Sequence, residues 1–159
     1  MSKFQGNVWS PVITPFGSDL SPDIECLVSH CRWLLAQGVG LAVFGTNSEA
    51  NSLTVAEKVL MLESLLAAGI PGDRLMPGTG SCSIGDTVTL SRCAVEQGCK
   101  GSLLFPPFFL TDVSDDGLFI AYSEVIHRVG DDGLRVYLYH LHNVALVPIH
   151  SPTGQLLSH

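Results

Sequence analysis

Leu41-Ala42-Val43-Phe44-Gly45-Thr46-Asn47-Ser48-Glu49 runs from four apolar residues through a glycine into hydroxyl and amide side chains. An unbroken apolar run of this kind suits a parallel strand buried on both faces, and the polar residues after it suit a loop. Helical patterns flank it on both sides. Upstream, Ser21 offers an N-cap and Pro22 a first helical position. Ile24, Leu27, Val28, Cys31, Leu34 and Leu35 then form one stripe, ended by Gly38 and Gly40. Downstream, Thr54-Val55-Ala56-Glu57 has the form of a capping box, with Val55, Val59, Leu62 and Leu66 expected on the buried face of the helix it opens.

The same alternation continues outward. Val8 to Phe16 reads as a strand before the first helix. Leu75 to Gly80 reads as a third strand, followed by a helix that opens over Ser83 to Asp86 and stops near Gly98. Gly101 to Phe105 is a fourth strand, halted by Pro106-Pro107. A fourth helix places Leu118, Ala121, Tyr122, Val125 and Ile126 on one face and ends at Gly130, and Val136 to Tyr139 is a fifth strand. Strand centres near Val12, Ala42, Leu75, Leu103 and Val136 recur about every 30 residues, the length of one βα unit. The class is therefore α/β. No G-x-G-x-x-G loop follows the first strand, so a (β/α)8 TIM barrel fits better than a doubly wound sheet. Full barrels run about 250 residues, so this one is expected to be truncated to about five strands and four helices. Residues 1–149 form that half-barrel, and 150–159 show neither a stripe nor an alternation and are expected to be a disordered tail.

Composition narrows the function classes. Of 159 residues, 46% are hydrophobic and 14% charged, enough apolar surface to offset chain ordering. Eight basic residues against fifteen acidic give a net charge of −7, with no basic cluster, which argues against nucleic acid or an anionic membrane as partner. No apolar stretch approaches the ~20 residues that span a bilayer. Five cysteines without a C-x-x-C pair, and an N-terminus without a signal-peptide pattern, predict a reduced, cytoplasmic protein.

Barrel chemistry sits on the loops after the strands. Gly45, Thr46 and Asn47 offer a hydroxyl and free backbone N–H groups suited to a small carboxylate. The plainer alternative is a loop that caps the next helix. Tyr137 and Tyr139 on strand five are expected to divide between the barrel interior and the helices. His140 and His142 alternate on the same strand, and because a metal site needs converging ligands, none is expected from the histidines.

Several of these segments together resemble one family. Val12-Ile13-Thr14-Pro15-Phe16 and Gly45-Thr46-Asn47-Ser48-Glu49 with Leu53-Thr54 are similar to paired signatures of the dihydrodipicolinate synthase / N-acetylneuraminate lyase family. The second usually reads Gly-(Thr/Ser)-Thr-Gly-Glu there. Gly78-Thr79-Gly80, Pro106-Pro107-Phe108-Phe109 and Leu138-Tyr139-His140 resemble its later strand ends, in order, over about residues 7 to 149. The resemblance implies a class I aldolase-type lyase: a barrel lysine forms a Schiff base with pyruvate or another 2-oxo acid, and neither metal nor cofactor takes part. Tyr139 would be the general acid/base, Thr46 would join the proton relay, and Gly45, Thr46 and Asn47 would grip the carboxylate. Such enzymes are expected to be homo-oligomers.

Three departures bear on the substrate. Asn47 stands where the family has a hydroxyl, Phe108 and Phe109 stand where the synthase has two tyrosines, and no arginine follows Tyr139. They favour an aldolase or dehydratase acting on 2-oxo-3-deoxy sugar acids or hydroxy-oxo acids. The lysine is the larger departure. The family places it on strand six, yet the three lysines here are Lys3, Lys58 and Lys100, none of them beyond Tyr139. Lys3 precedes strand one, Lys58 lies early in the second helix, and Lys100 sits before strand four, at the opposite end of the barrel. The expectation is a truncated lyase, inactive as this chain. The alternatives are a non-catalytic half-barrel that binds or oligomerises, or an unrelated α/β binding domain. Open strand edges and a bare inner face predict self-association.

Overall fold

A computed structural model describes residues 8–110 and 113–139. Its elements run β1 (Trp9–Pro11), α1 (Ile24–Ala36), β2 (Gly40–Ala42), two 3-10 turns (Thr46–Ser48 and Ala50–Ser52), α2 (Val55–Ala67), a third 3-10 turn (Gly72–Arg74), α3 (Ile84–Glu96), β3 (Ser102–Leu104), α4 (Asp115–Val129) and β4 (Val136–Leu138). The expected tail at 150–159, Lys3, His140 and His142 lie outside the described residues.

Side chain-to-backbone bonds start the helices. Thr54 Oγ1 accepts from Glu57 N, and the Glu57 carboxylate accepts from Thr54 N at 2.7 Å, so the capping box closes. Ser83 caps α3 through Asp86 N, and Ser114 caps α4 through Gly117 N. The first helix starts later than expected. Its N-cap is Asp23, which accepts from Cys26 N at 2.9 Å, whereas Ser21 bonds to the Asp19 carboxylate and Pro22 pairs antiparallel with Phe16. Asp23 is as good a cap as Ser21, and the Phe16–Pro22 pairing holds the preceding residues extended.

β1 pairs with β2 and β3 with β4, both in parallel. The expected third strand forms only single parallel bridges, Leu41 to Leu75 and Gly78 to Leu103. Met76 N and Gly78 N donate to Leu41 O and Val43 O, and Leu103 N donates to Pro77 O. Pro77 has no N–H to return a rung toward β3, so the ladder is interrupted on that side. The five extended segments still lie side by side in chain order, the arrangement of one wall of a barrel rather than of a sheet that reverses its strand order.

Alternation separates the two faces of this wall. Leu41, Val43, Leu75 and Leu104 are buried toward the helices, whereas Ala42, Met76 and Leu103 line the opposite, open side. On α1, Leu27, Val28, Cys31 and Leu34 are buried, as the stripe predicts. On α2 the buried face is Lys58, Met61, Leu62 and Leu65, rotated from the expected Val55, Val59, Leu62 and Leu66. Both sets have helical spacing. Packing selects the one containing a lysine, because Met61, Leu62 and Leu65 join the buried cluster that holds Leu41, Val43 and Leu75.

Candidate active site

The loop after β2 is fastened to the end of β1. Thr14 Oγ1 donates to Ser48 O at 2.7 Å, and Ser48 Oγ donates to Val12 O while accepting from Gly45 N at 3.2 Å. Gly45 O accepts from Ser48 N and Ala50 N, which curls the segment into a 3-10 turn. Thr14 and Ser48 are buried, so these bonds are made away from water and are costly to break. Both residues belong to strand-end segments that the sequence marks, but nothing in the sequence assigns them this fastening role. A serine one residue beyond an expected binding loop carries no pattern of its own.

Phe44 immediately precedes the loop with φ of 58°, a left-handed backbone that is strained for a bulky residue. Its ring is buried, and its carbonyl lies against Gly78, where an added Cβ would sit 2.1 Å from the oxygen. Only glycine at 78 permits this approach. The turn at Phe44 swings Thr46 and Asn47 out of the strand, leaving both side chains exposed, and their N–H groups have no acceptor among the described residues.

The structure brings Gly45, Thr46, Asn47 and Tyr139 to one cavity of about 580 Å³ on the open side of the wall, together with Trp9, Pro11, Ala42, Met76 and Leu103. Tyr139 is held by its N–H donating to Leu104 O at 2.9 Å and by an edge-on contact with the Phe105 ring, centroids 4.5 Å apart. Tyr137 lines the same cavity, which corrects the expectation that the two tyrosines divide between interior and helices. Residues two apart on a strand share a face, and it is Val136 and Leu138 that pack toward α3 and α4. Lys100 also borders this cavity, but its backbone precedes β3, a strand length away from the loops that carry Thr46 and Tyr139. A smaller cavity of about 160 Å³ extends from Thr46 past Asn51 and Gly80 to Phe105 and Phe108.

This wall, with a polar loop after β2 and a tyrosine after β4 facing one space, agrees with the motif order. The family model for the dihydrodipicolinate synthetase family matches residues 4–152. The chain belongs to that family. An uncharacterised DapA-like lyase of Chloroflexus aurantiacus is 35% identical over 143 residues, covering 88% of this chain and 47% of the relative. The 4-hydroxy-tetrahydrodipicolinate synthase of Corynebacterium urealyticum is 30% identical over 154 residues, covering 96% and 50%. The crystal structure of dihydrodipicolinate synthase from Agrobacterium tumefaciens superposes with a TM-score of 0.91 at 33% identity, covering 97% of this chain and 54% of that one. The chain thus spans about half the length of the relatives it matches. The half-barrel expected from the strand count agrees with that coverage, and the likeness to these lyases extends along nearly the whole of it.

Proposed function

We propose that this chain carries the carboxylate-binding and proton-relay half of a Schiff-base lyase site for a 2-oxo acid such as pyruvate. Gly45, Thr46 and Asn47 grip the carboxylate through the free N–H groups of Thr46 and Asn47 and the Asn47 amide. The Thr46 hydroxyl passes a proton toward Tyr139, whose phenol is the general acid/base. The observation that carries this reading is the meeting of Gly45, Thr46, Asn47 and Tyr139 on one cavity, although Tyr139 lies more than ninety positions further along the chain. Imine chemistry needs a primary amine beside the bound carbonyl. Lys100 stands at the wrong end of the strands and Lys58 borders a different cavity, so this chain binds the acid without capturing it.

Incubation with pyruvate and borohydride, read by intact mass, tests the point. No stable adduct is expected, and a pyruvate-derived mass shift on any lysine contradicts it. The 2-oxo acid itself is of the 2-oxo-3-deoxy sugar acid or hydroxy-oxo acid class, the substrate of an aldolase or dehydratase, because Phe108 offers no hydroxyl at the cleft. The setting is cytoplasmic, and the active form is a homo-oligomer. A second reading, a half-barrel that binds or oligomerises without catalysis, draws on the open side of the wall, where Ile13 is 56% exposed. Sedimentation of the purified chain, combined with titration of a 2-oxo acid, separates the two. A binding-competent monomer argues against the oligomeric module, and a stable oligomer without affinity for 2-oxo acids argues for it.

A further inference from the structure

Lys58 has a chemistry that the carboxylate loop does not use. It stands on the first turn of α2 and is 6% exposed, yet its amine makes no hydrogen bond and no ion pair among the described residues. It borders a cavity of about 390 Å³ between the starts of α2 and α3, alongside Asn51, Ser81, Cys82 and Asp86. That cavity shares Asn51, Gly80 and Phe108 with the smaller one that begins at Thr46, so the two adjoin at the strand-end loops.

Burial without a hydrogen-bonded partner penalises the ammonium form, and this desolvation holds Lys58 below the ordinary lysine range. The Asp86 carboxylate opposes the shift but is the smaller influence. Glu57, the acid next to it on α2, is turned away into the capping box, with its carboxylate bonded to Thr54 N and Oγ1. A desolvated lysine beside a single carboxylate is the arrangement that activates amines toward carbonyl carbon.

We propose that Lys58 is an imine-forming amine whose cavity takes a small uncharged hydroxyaldehyde. Asp86 disfavours a second carboxylate in the cavity, whereas Asn51 and Ser81 supply hydrogen-bonding groups for a hydroxyl. The ammonium gives a proton to solvent water, and the freed lone pair attacks the carbonyl carbon. The carbonyl π bond breaks, and its oxygen takes a proton from the attacking nitrogen to become the hydroxyl of a carbinolamine. Solvent returns a proton to that hydroxyl, water leaves, and a protonated C=N bond remains. The net change is an ammonium and an aldehyde becoming an iminium and one water, with no oxidant or reductant. This inference is independent of the 2-oxo acid reading, since it concerns a different cavity and a different electrophile.

The test uses the intact chain, limiting glycolaldehyde and cyanoborohydride at neutral pH, with initial labelling rates at each lysine read by peptide mass mapping. Lys58 is expected to label about tenfold faster than exposed Lys100, because more of its amine is unprotonated. Pyruvate at equal concentration should leave Lys58 unmodified. Lys58→Arg should abolish the fast phase while Lys100 labels as before. Labelling of Lys58 no faster than Lys100, which burial alone would produce, overturns the proposal. Equal labelling of Lys58 by pyruvate and glycolaldehyde overturns the assignment of an uncharged ligand.

Discussion

On β2 and the residue after it, Leu41 and Val43 face the helices and are 0% and 1% exposed, while Ala42 between them faces the open cavity. On β4 the contrast repeats: Val136 and Leu138 pack toward α3 and α4, and Tyr137 is 38% exposed on the other side. One face of the wall is thus sealed by α1 to α4, and the other presents Trp9, Met76, Leu103 and Tyr139 to open space. The difference places the cohesion of the described residues on the helix side and the proposed chemistry on the cavity side. Substitutions on the two faces should then separate stability from binding.

The largest effect is expected at Leu41→Ala, which empties a fully buried position against α1 and should lower unfolding stability by about 3 kcal/mol in urea titration. A loss below about 1 kcal/mol would place cohesion elsewhere. Ser48→Ala should cost about 2 kcal/mol, since it leaves Val12 O and Gly45 N without their buried partner. It should also weaken 2-oxo acid binding, because it frees the loop that presents Thr46. An unchanged affinity would show that the fastening of this loop to β1 has no part in binding.

Thr54→Ala should cost about 1 kcal/mol by removing the α2 cap. Its acid profile adds a sharper reading. Hydrogen bonds from Thr54 N and Oγ1 hold the Glu57 carboxyl below its ordinary 4.5, so its folded value is lower than its unfolded one. The stabilisation is complete above pH 4.5 and lost as pH falls through the lower folded value. The variant keeps the backbone N–H at position 54 and loses only the Oγ1 donor, so it should show a smaller loss on acid titration followed by circular dichroism. The smallest stability change, within about 0.5 kcal/mol, is expected for Thr46→Val and Tyr139→Phe on the open face. Both should still reduce function, Thr46→Val in binding of the acid and Tyr139→Phe in turnover wherever a competent lysine is supplied.

What could be foreseen from the chain follows the range of the interactions involved. The Thr54–Glu57 box and the Ser83 cap were legible because each is closed by residues three apart. The α1 stripe was legible because its apolar residues compete with no equally good set. On α2 two helical faces were available, Val55, Val59, Leu62 and Leu66 or Lys58, Met61, Leu62 and Leu65, and apolar spacing alone selects the first, which is not the buried one. The N-cap of α1 was misplaced by two residues because Ser21 and Asp23 are chemically equivalent caps, and only the Phe16–Pro22 pairing decides between them. At the site, Gly45, Thr46, Asn47 and Tyr139 followed from strand order and motif resemblance. The Thr14–Ser48 bond joins residues 34 apart, and the left-handed turn at Phe44 depends on a glycine 34 positions later, so neither leaves a local trace.

Amide chemical-shift mapping of the isotope-labelled chain during pyruvate titration tests the central claim most directly. The account predicts saturable shifts at the Thr46 and Asn47 amides and around Tyr139, with Lys58 and its neighbours on α2 unmoved. Shifts centred on Lys58, or none at Thr46 and Asn47 at saturating pyruvate, would contradict it.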